Sequence, residues 1–281
     1  MKVGIIGAGA VGQAIGKIFQ TFGNDVIFTD IKEGLLDKLS QRYYVGSYAA
    51  VIQNSDIIFV TVPTPSTRRG RVNLDYMKDA LLEIAEHITR YKIIVIKSTI
   101  PPGTTENLFI SLLESRGLNE GKDFDIVVNP EFLRMKHAIK DFIDAPKIVL
   151  GVRNNRPVSE MLELYSPFNT RVVVTNWKTA EMIKYANNAF YSTRISFFNE
   201  IAKICEDIDV SATEVIQTIL MSKEDFGSHG KEFGHAFGGS CLPKDLDGLI
   251  SFCEDICFKP HFLESVREVN KEMKKYDKLQ E

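Results

Sequence analysis

Short β-branched runs alternate with amphipathic stretches through the first half of the chain. Their spacing predicts strands over Lys2–Ile6, Asp25–Thr29, Ile57–Val62 and Ile93–Ile96, with helices between them. Further strands over Asp125–Val128, Lys147–Leu150 and Arg171–Val174 extend this into one mostly parallel sheet with helices on both faces, an α/β fold of the doubly wound Rossmann type. After Val174 the period changes. From Thr179 to about Ile208 there is neither Pro nor Gly, and Met182, Ile183, Ala186, Ala189 and Phe190 recur at helical spacing, so one long connecting helix is expected. A shorter helix over about Ala212–Met221 follows, then a glycine-rich stretch, Gly227–Gly239, that cannot be regular structure. Pro243–Glu281 reads as helical with a break near Lys259-Pro260. The expected domains are therefore an α/β domain, 1–175, and a small all-helical domain, 176–281.

A chain of 281 residues, 44% hydrophobic and 25% charged, can bury one large or two modest cores. A formal charge of -3 without any dense basic stripe gives no means of neutralising a phosphate backbone, which excludes nucleic acid as the expected partner. The apolar start, Met1 to Ile6, is broken by glycines within the first dozen residues. It is neither a signal h-region nor a membrane span, and a cytoplasmic location is expected. Of the four cysteines, Cys253 and Cys257 have helical i,i+4 spacing rather than a paired zinc pattern, so no metal site is expected. Cys205, Cys253 and Cys257 read as core residues and Cys241 as the chemical one.

The run Gly7-Ala8-Gly9-Ala10-Val11-Gly12 follows the first strand and opens the first helix. Its first glycine suits the turn, its second lets backbone approach a pyrophosphate, and its third permits close helix packing. Unpaired N–H groups and the positive helix end then favour phosphate. Asp30, at the end of the second strand, can accept from ribose hydroxyls and would repel a 2′-phosphate, which favours NAD over NADP. A turn that merely packs strand on helix, or a flavin site, are the alternatives. Thr64-Pro65 and Ser98-Thr99 fall at carboxyl ends of strands, where such sheets bind ligands, although simple turn chemistry explains each of them alone.

Phe237-Gly238-Gly239-Ser240-Cys241-Leu242-Pro243-Lys244-Asp245 places a cysteine just before a helix start, with paired glycines on one side and Lys244 on the other. The helix dipole and the ammonium favour thiolate, hence a nucleophile; by spacing alone a buried structural cysteine fits equally. On the long helix Lys184 and Asn188 are i,i+4 neighbours that could donate to an oxyanion, or be a solvated surface pair. Glu131, after the fifth strand in Asn129-Pro130-Glu131, suits a base or a helix cap.

Together these segments resemble the UDP-glucose/GDP-mannose dehydrogenase family from the first strand to about Asn270. The resemblance is carried by the glycine run with Asp30, Val62-Pro63-Thr64-Pro65, Lys97 to Thr104, Asn129 to Leu133, Glu181 to Asn188 with Asn199-Glu200, and the Cys241 loop. It implies two hydride transfers to NAD that convert a nucleotide sugar's C6 alcohol to a carboxylate through a thiohemiacetal and then a thioester on Cys241. It further implies that Lys184 and Asn188 stabilise the oxyanion, that Asp245 and Thr99 with Lys184 position a water, and that Glu131 is the base for thioester hydrolysis. Lys244 matches a cofactor-contacting lysine, and Phe132-Leu133 with Gly238 match backbone contacts to the sugar. Cofactor contacts fall on Gly7, Gly9, Val11, Gly12, Asp30, Thr64, Pro65, Thr99 and Lys244.

The chain departs from the family pattern in three places. It ends at Glu281, before the carboxyl-terminal nucleotide-binding domain, so a short form is expected. Met135 and Lys136 replace an acidic residue and a glycine, and Ser228-His229-Gly230 stands where an Arg-Ile-Gly run is usual. Two other readings remain: a single-step dehydrogenase similar to the β-hydroxyacid dehydrogenases, and a silent NAD-binding protein. The helix from Thr179 is apolar around more of its circumference than one domain face needs, which predicts a homodimer.

Overall fold

The computed structural model describes residues 1–133, 138–207, 209–221, 235–255 and 259–280. The chain forms two compact units, one made of 1–65 and 73–184 and the other of 66–72 and 185–281.

The first unit holds a single eight-stranded sheet. Its strands are β1 (Lys2–Ile6), β2 (Asp25–Thr29), β3 (Tyr44–Val45), β4 (Ile57–Val60), β5 (Lys92–Ile96), β6 (Phe124–Val128), β7 (Ile148–Gly151) and β8 (Val172–Thr175), in the order β3-β2-β1-β4-β5-β6-β7-β8. Every pairing is parallel except β6 with β7, which meet antiparallel through Val128 and Gly151. β4, β5 and β6 are buried at every position, as apolar runs must be when helices cover both faces. One face packs α3 (Tyr48–Asn54), α4 (Asp75–His87) and α5 (Ile110–Glu114) around Val51, Leu81 and Leu113; a π-turn, Thr105–Phe109, leads into α5. The other packs α1 (Ala10–Thr21), α2 (Glu33–Ser40), α6 (Ala138–Ile143) and α7 (Val158–Tyr165) around Phe19, Leu39, Phe142 and Tyr165. The two-residue β3 and the antiparallel turn of β7 were not expected. β3 is too short to show a period, and strand direction is set by how the 129–147 connection returns rather than by composition. The order reverses between β1 and β4, and the crevice outside their carboxyl ends is where the glycine turn lies.

α8 (Trp177–Asp207) leaves the sheet as one continuous helix of 31 residues. Its start is anchored in the first unit. Trp177 Nε1 donates to Ile126 O at 2.8 Å, and Gly151 lets the Ala180 methyl approach so closely that a Cβ on Gly151 would sit 2.5 Å from it. The second unit comprises the rest of α8 with α9 (Ala212–Leu220), α10 (Leu242–Asp255) and α11 (His261–Gln280). Ser211 caps α9 by accepting from Glu214 N at 3.3 Å, in a Ser-x-x-Glu arrangement. The core here is smaller: Ile195, Phe237, Leu246, Ile250 and Val266 form one cluster, and Tyr185, Ala189, Leu249 and Cys253 another. Among the described residues no helix is long and apolar enough to cross a membrane. Most of the stretch 227–239, together with Met135, Lys136, Ser228-His229-Gly230 and Cys257, lies outside the described residues.

Candidate active site

The glycine turn meets a steric demand at two of its three glycines. Gly7 has φ 97, and a Cβ there would lie 2.9 Å from Thr61 C and Val62 N. Gly12 packs so tightly that a Cβ would be 2.1 Å from Gly7 O, whereas Gly9 has nothing within 4 Å and leaves the approach to α1 open. Among the described residues no side chain caps the α1 N-terminus, which leaves its first N–H groups available to a pyrophosphate. Asp30 lies just beyond β2; Oδ2 accepts from Ala8 N at 2.7 Å and Oδ1 from Lys32 N at 2.9 Å, which fixes the carboxylate beside the turn. These residues fit a dinucleotide. Thr61, which sequence reasoning missed, donates its hydroxyl to Gly7 O and Ile6 O and ties the turn to β4. A hydroxyl following a buried strand would have been the only signal.

At the next strand ends, Thr64 is buried and donates to Thr99 O at 2.9 Å, and Ser98 donates to Val62 O at 2.6 Å. The hydroxyls of Thr64 and Ser98 thus knit β4 to β5, while Thr99 is half-buried with Pro65 exposed on the same rim.

Glu131 and Lys184 form a buried ion pair, Nζ to Oε1 at 3.0 Å, with side chains 11% and 4% exposed. Glu131 Oε2 also accepts from Leu133 N. Burial pushes this carboxyl up, but the Lys184 ammonium, the Leu133 N–H and Lys97 outweigh it and hold the pKa below the ordinary range. The Phe132 ring lies under both Lys184, 5.7 Å away, and Lys147, 4.6 Å away. Behind the pair, Lys97 donates to Asn129 Oδ1 at 2.8 Å and Asn129 donates to Val149 O. Burial lowers the Lys97 pKa to about 7. Glu181, one face round α8, accepts from Gly103 N and Thr105 N and so holds the Pro101-Pro102-Gly103 turn; it is a structural carboxylate.

In the second unit Asn188, also buried, donates to Asp245 Oδ2, and Lys244 Nζ donates to Asp245 Oδ1 at 2.6 Å. Lys184 and Asn188 are therefore not a solvated surface pair: each is held by a buried carboxylate, one turn apart on α8. Cys241 stands directly before α10, half-buried, with Ser240 Oγ 3.7 Å from its sulfur, while Cys205 and Cys253 are buried. Gly238 and Gly239 have open space where a Cβ would be, and Gly239 has φ 78. Upstream, three side chains hold the loop's backbone, of which the sequence marked only Asn199, as part of the resemblance. Asn199 donates to His235 O at 2.8 Å, Asp277 accepts from Ala236 N at 3.0 Å, and Asn270 donates to Phe237 O at 3.0 Å.

Residues 38–169 match the NAD binding domain of the UDP-glucose/GDP-mannose dehydrogenase family, and residues 178–272 match its central domain. The chain is 35% identical over 302 residues to the UDP-glucose 6-dehydrogenase TuaD of Bacillus subtilis, covering 99% of this chain and 65% of that protein. It is 35% identical to the UDP-glucose 6-dehydrogenase AglM of Haloferax volcanii, covering 96% of this chain and 69% of the relative. A solved UDP-glucose dehydrogenase from Pyrobaculum islandicum superposes with a TM-score of 0.91 at 30% identity, over 98% of this chain and 69% of the other. This chain thus spans about two thirds of the length of the relatives it matches.

Proposed function

The chain belongs to the UDP-glucose/GDP-mannose dehydrogenase family, and from that premise we propose that it oxidises the C6 alcohol of a UDP-glucose-like nucleotide sugar to the uronic acid, with NAD. Gly7, Gly9, Val11 and Gly12 hold the pyrophosphate, Asp30 a ribose, and Thr64, Pro65, Thr99 and Lys244 the remainder. Bound NAD supplies the hydride acceptor, used twice for each sugar.

In the first oxidation a water positioned by Asp245, Thr99 and Lys184 takes the alcohol proton. The Cys241 thiolate then adds to the aldehyde carbon, and Lys184 and Asn188 donate to the oxygen on which charge develops. The second oxidation leaves a thioester on Cys241, and Glu131 draws a proton from the water that cleaves it. Phe132, Leu133 and Gly238 bound the sugar. What supports this reading most is Cys241 itself: a half-buried thiol at a helix start, in the same unit as an Asn188–Asp245–Lys244 chain of hydrogen bonds.

NAD reduction across UDP-, GDP- and unmodified sugars, with product mass measured, tests the proposal. Two NADH per sugar and a carboxylate product are expected, and Cys241→Ser should abolish acid formation while NAD still raises the melting temperature. One NADH per turnover with a carbonyl compound as final product, or full activity in Cys241→Ser, would replace it with the single-step reading.

The homodimer belongs to the same proposal. Met182, Phe190 and Phe197 are 39%, 55% and 49% exposed along α8, an apolar stripe suited to a two-fold partner. Sedimentation equilibrium showing only monomer at micromolar concentration would remove it. Dissolved reactants of this kind fit a cytoplasmic location.

A further inference from the structure

A cleft of about 380 Å³ opens in the second unit beside residues 68–70, α10 and α11. Its floor is apolar, formed by Phe237, Pro243, Leu246 and Ile250. Its rim is cationic: Arg68 and Arg69 come from the loop, and Arg267, Lys271 and Lys274 from α11. The α11 residues recur at i, i+4 and i+7, which places them on one side of that helix. Asp247 and Glu254 are the two carboxylates that also line it, so five cations face two anions.

The pairing of these groups is incomplete. Arg267 lies 3.6 Å from Asp247, and Lys271 pairs with Glu268 at 2.7 Å. Among the described residues Arg68, Arg69 and Lys274 make no side-chain hydrogen bond or ion pair. Among the described residues two buried polar atoms on α11, Arg267 Nε and Asn270 Oδ1, have no hydrogen-bond partner. Buried polar atoms are normally satisfied. Both atoms are closed to solvent, so what the cleft presents to a ligand is the charge of its rim over an apolar floor.

The cleft is separate from the chemistry proposed for Cys241. On α10, Asp245 reaches Asn188 of α8, and Leu249 packs with Tyr185 and Ala189. At about 100° per residue, Pro243, Leu246, Asp247 and Ile250 project from the opposite side of α10.

We propose that this cleft binds a small phosphorylated metabolite, a second ligand site on the protein. The guanidinium groups of Arg68, Arg69 and Arg267 take the phosphate in hydrogen bonds, Lys274 adds charge, and the carbon skeleton lies on the apolar floor.

Isothermal titration calorimetry of the whole chain at saturating NAD, with ribose 5-phosphate and inorganic phosphate as probes, tests this whether or not the protein turns over a sugar. Saturable binding of ribose 5-phosphate, tighter than that of phosphate, is expected. Arg69→Glu combined with Lys274→Glu should weaken it about tenfold or more. Both side chains are exposed, so the variant keeps its fold, which circular dichroism checks. Absence of saturable binding, equal affinity for the two probes, or affinity unchanged by the double reversal would each overturn the proposal.

Discussion

Replacing Lys184 by Met removes the counter-ion of a carboxylate largely shut away from water. The Lys184 and Glu131 side chains are 4% and 11% exposed and 3.0 Å apart. In the native protein the attraction of Lys184, with the Leu133 N–H and Lys97, overcomes the upward push of burial and leaves Glu131 with a lowered pKa. With the ammonium gone, burial is opposed, among the described residues, by the Leu133 N–H and Lys97, and the pKa moves above its unfolded value. Removing one partner of a buried pair costs about 3–5 kcal/mol while the other stays charged. The pH dependence then reverses. A depressed carboxyl pKa stabilises the native fold above the unfolded pKa of about 4.3, and that stability is lost as pH falls through the folded value. A raised pKa makes folding less favourable by about 1.4 kcal/mol per pH unit from the unfolded pKa up to the new folded one. Urea unfolding of Lys184→Met should therefore show a loss at pH 8 that exceeds the loss at pH 5 by about 1 kcal/mol or more. In a Glu131→Gln background the same substitution should cost much less. Equal losses at the two pH values, or no coupling in that cycle, would refute the reasoning.

Other consequences follow from single contacts. Gly12→Ala puts a methyl 2.1 Å from Gly7 O, where backbone must move; it should cost about 1–3 kcal/mol and remove the thermal shift produced by NAD, both read from melting curves. Lys97, with its pKa lowered to about 7 by burial, folds preferentially neutral, so stability rises with pH from about 7 toward the unfolded value near 10.4. Lys97→Met should flatten that rise in unfolding titrations between pH 7 and 9, leaving the part due to Lys92, whose pKa burial lowers to about 8. Iodoacetamide should label Cys241 well before Cys205 or Cys253 in peptide mass maps, because only Cys241 of these three is not buried; faster labelling of Cys205 would contradict the geometry.

The strands were legible because β1, β2, β4, β5 and β6 each carry a short apolar run, such as Ile57–Val60 and Ile93–Ile96, a pattern that buried parallel sheets impose on sequence directly. The glycine turn was legible for a related reason: two of its glycines sit where any Cβ would strike backbone. The partners of the polar residues were not. Lys184 and Asn188 look from their spacing like an exposed i,i+4 pair, and nothing local says that Glu131, 53 residues away, or Asp245, 57 residues away, closes on each of them. The same holds for Asn270 and Asp277, which read as ordinary polar positions on a terminal helix until α11 is seen holding the backbone before Cys241.

By itself the sequence determined what local chemistry can enforce: the period of strands and helices, the turn that tolerates only glycine, and a cysteine set before a helix start. Tertiary structure alone decided which charges are buried, which carboxylate neutralises which ammonium, and that β7 runs against its neighbour. The physical reason is range. Backbone sterics and side-chain periodicity act within a few residues, whereas burial and ion pairing depend on segments that only folding makes adjacent.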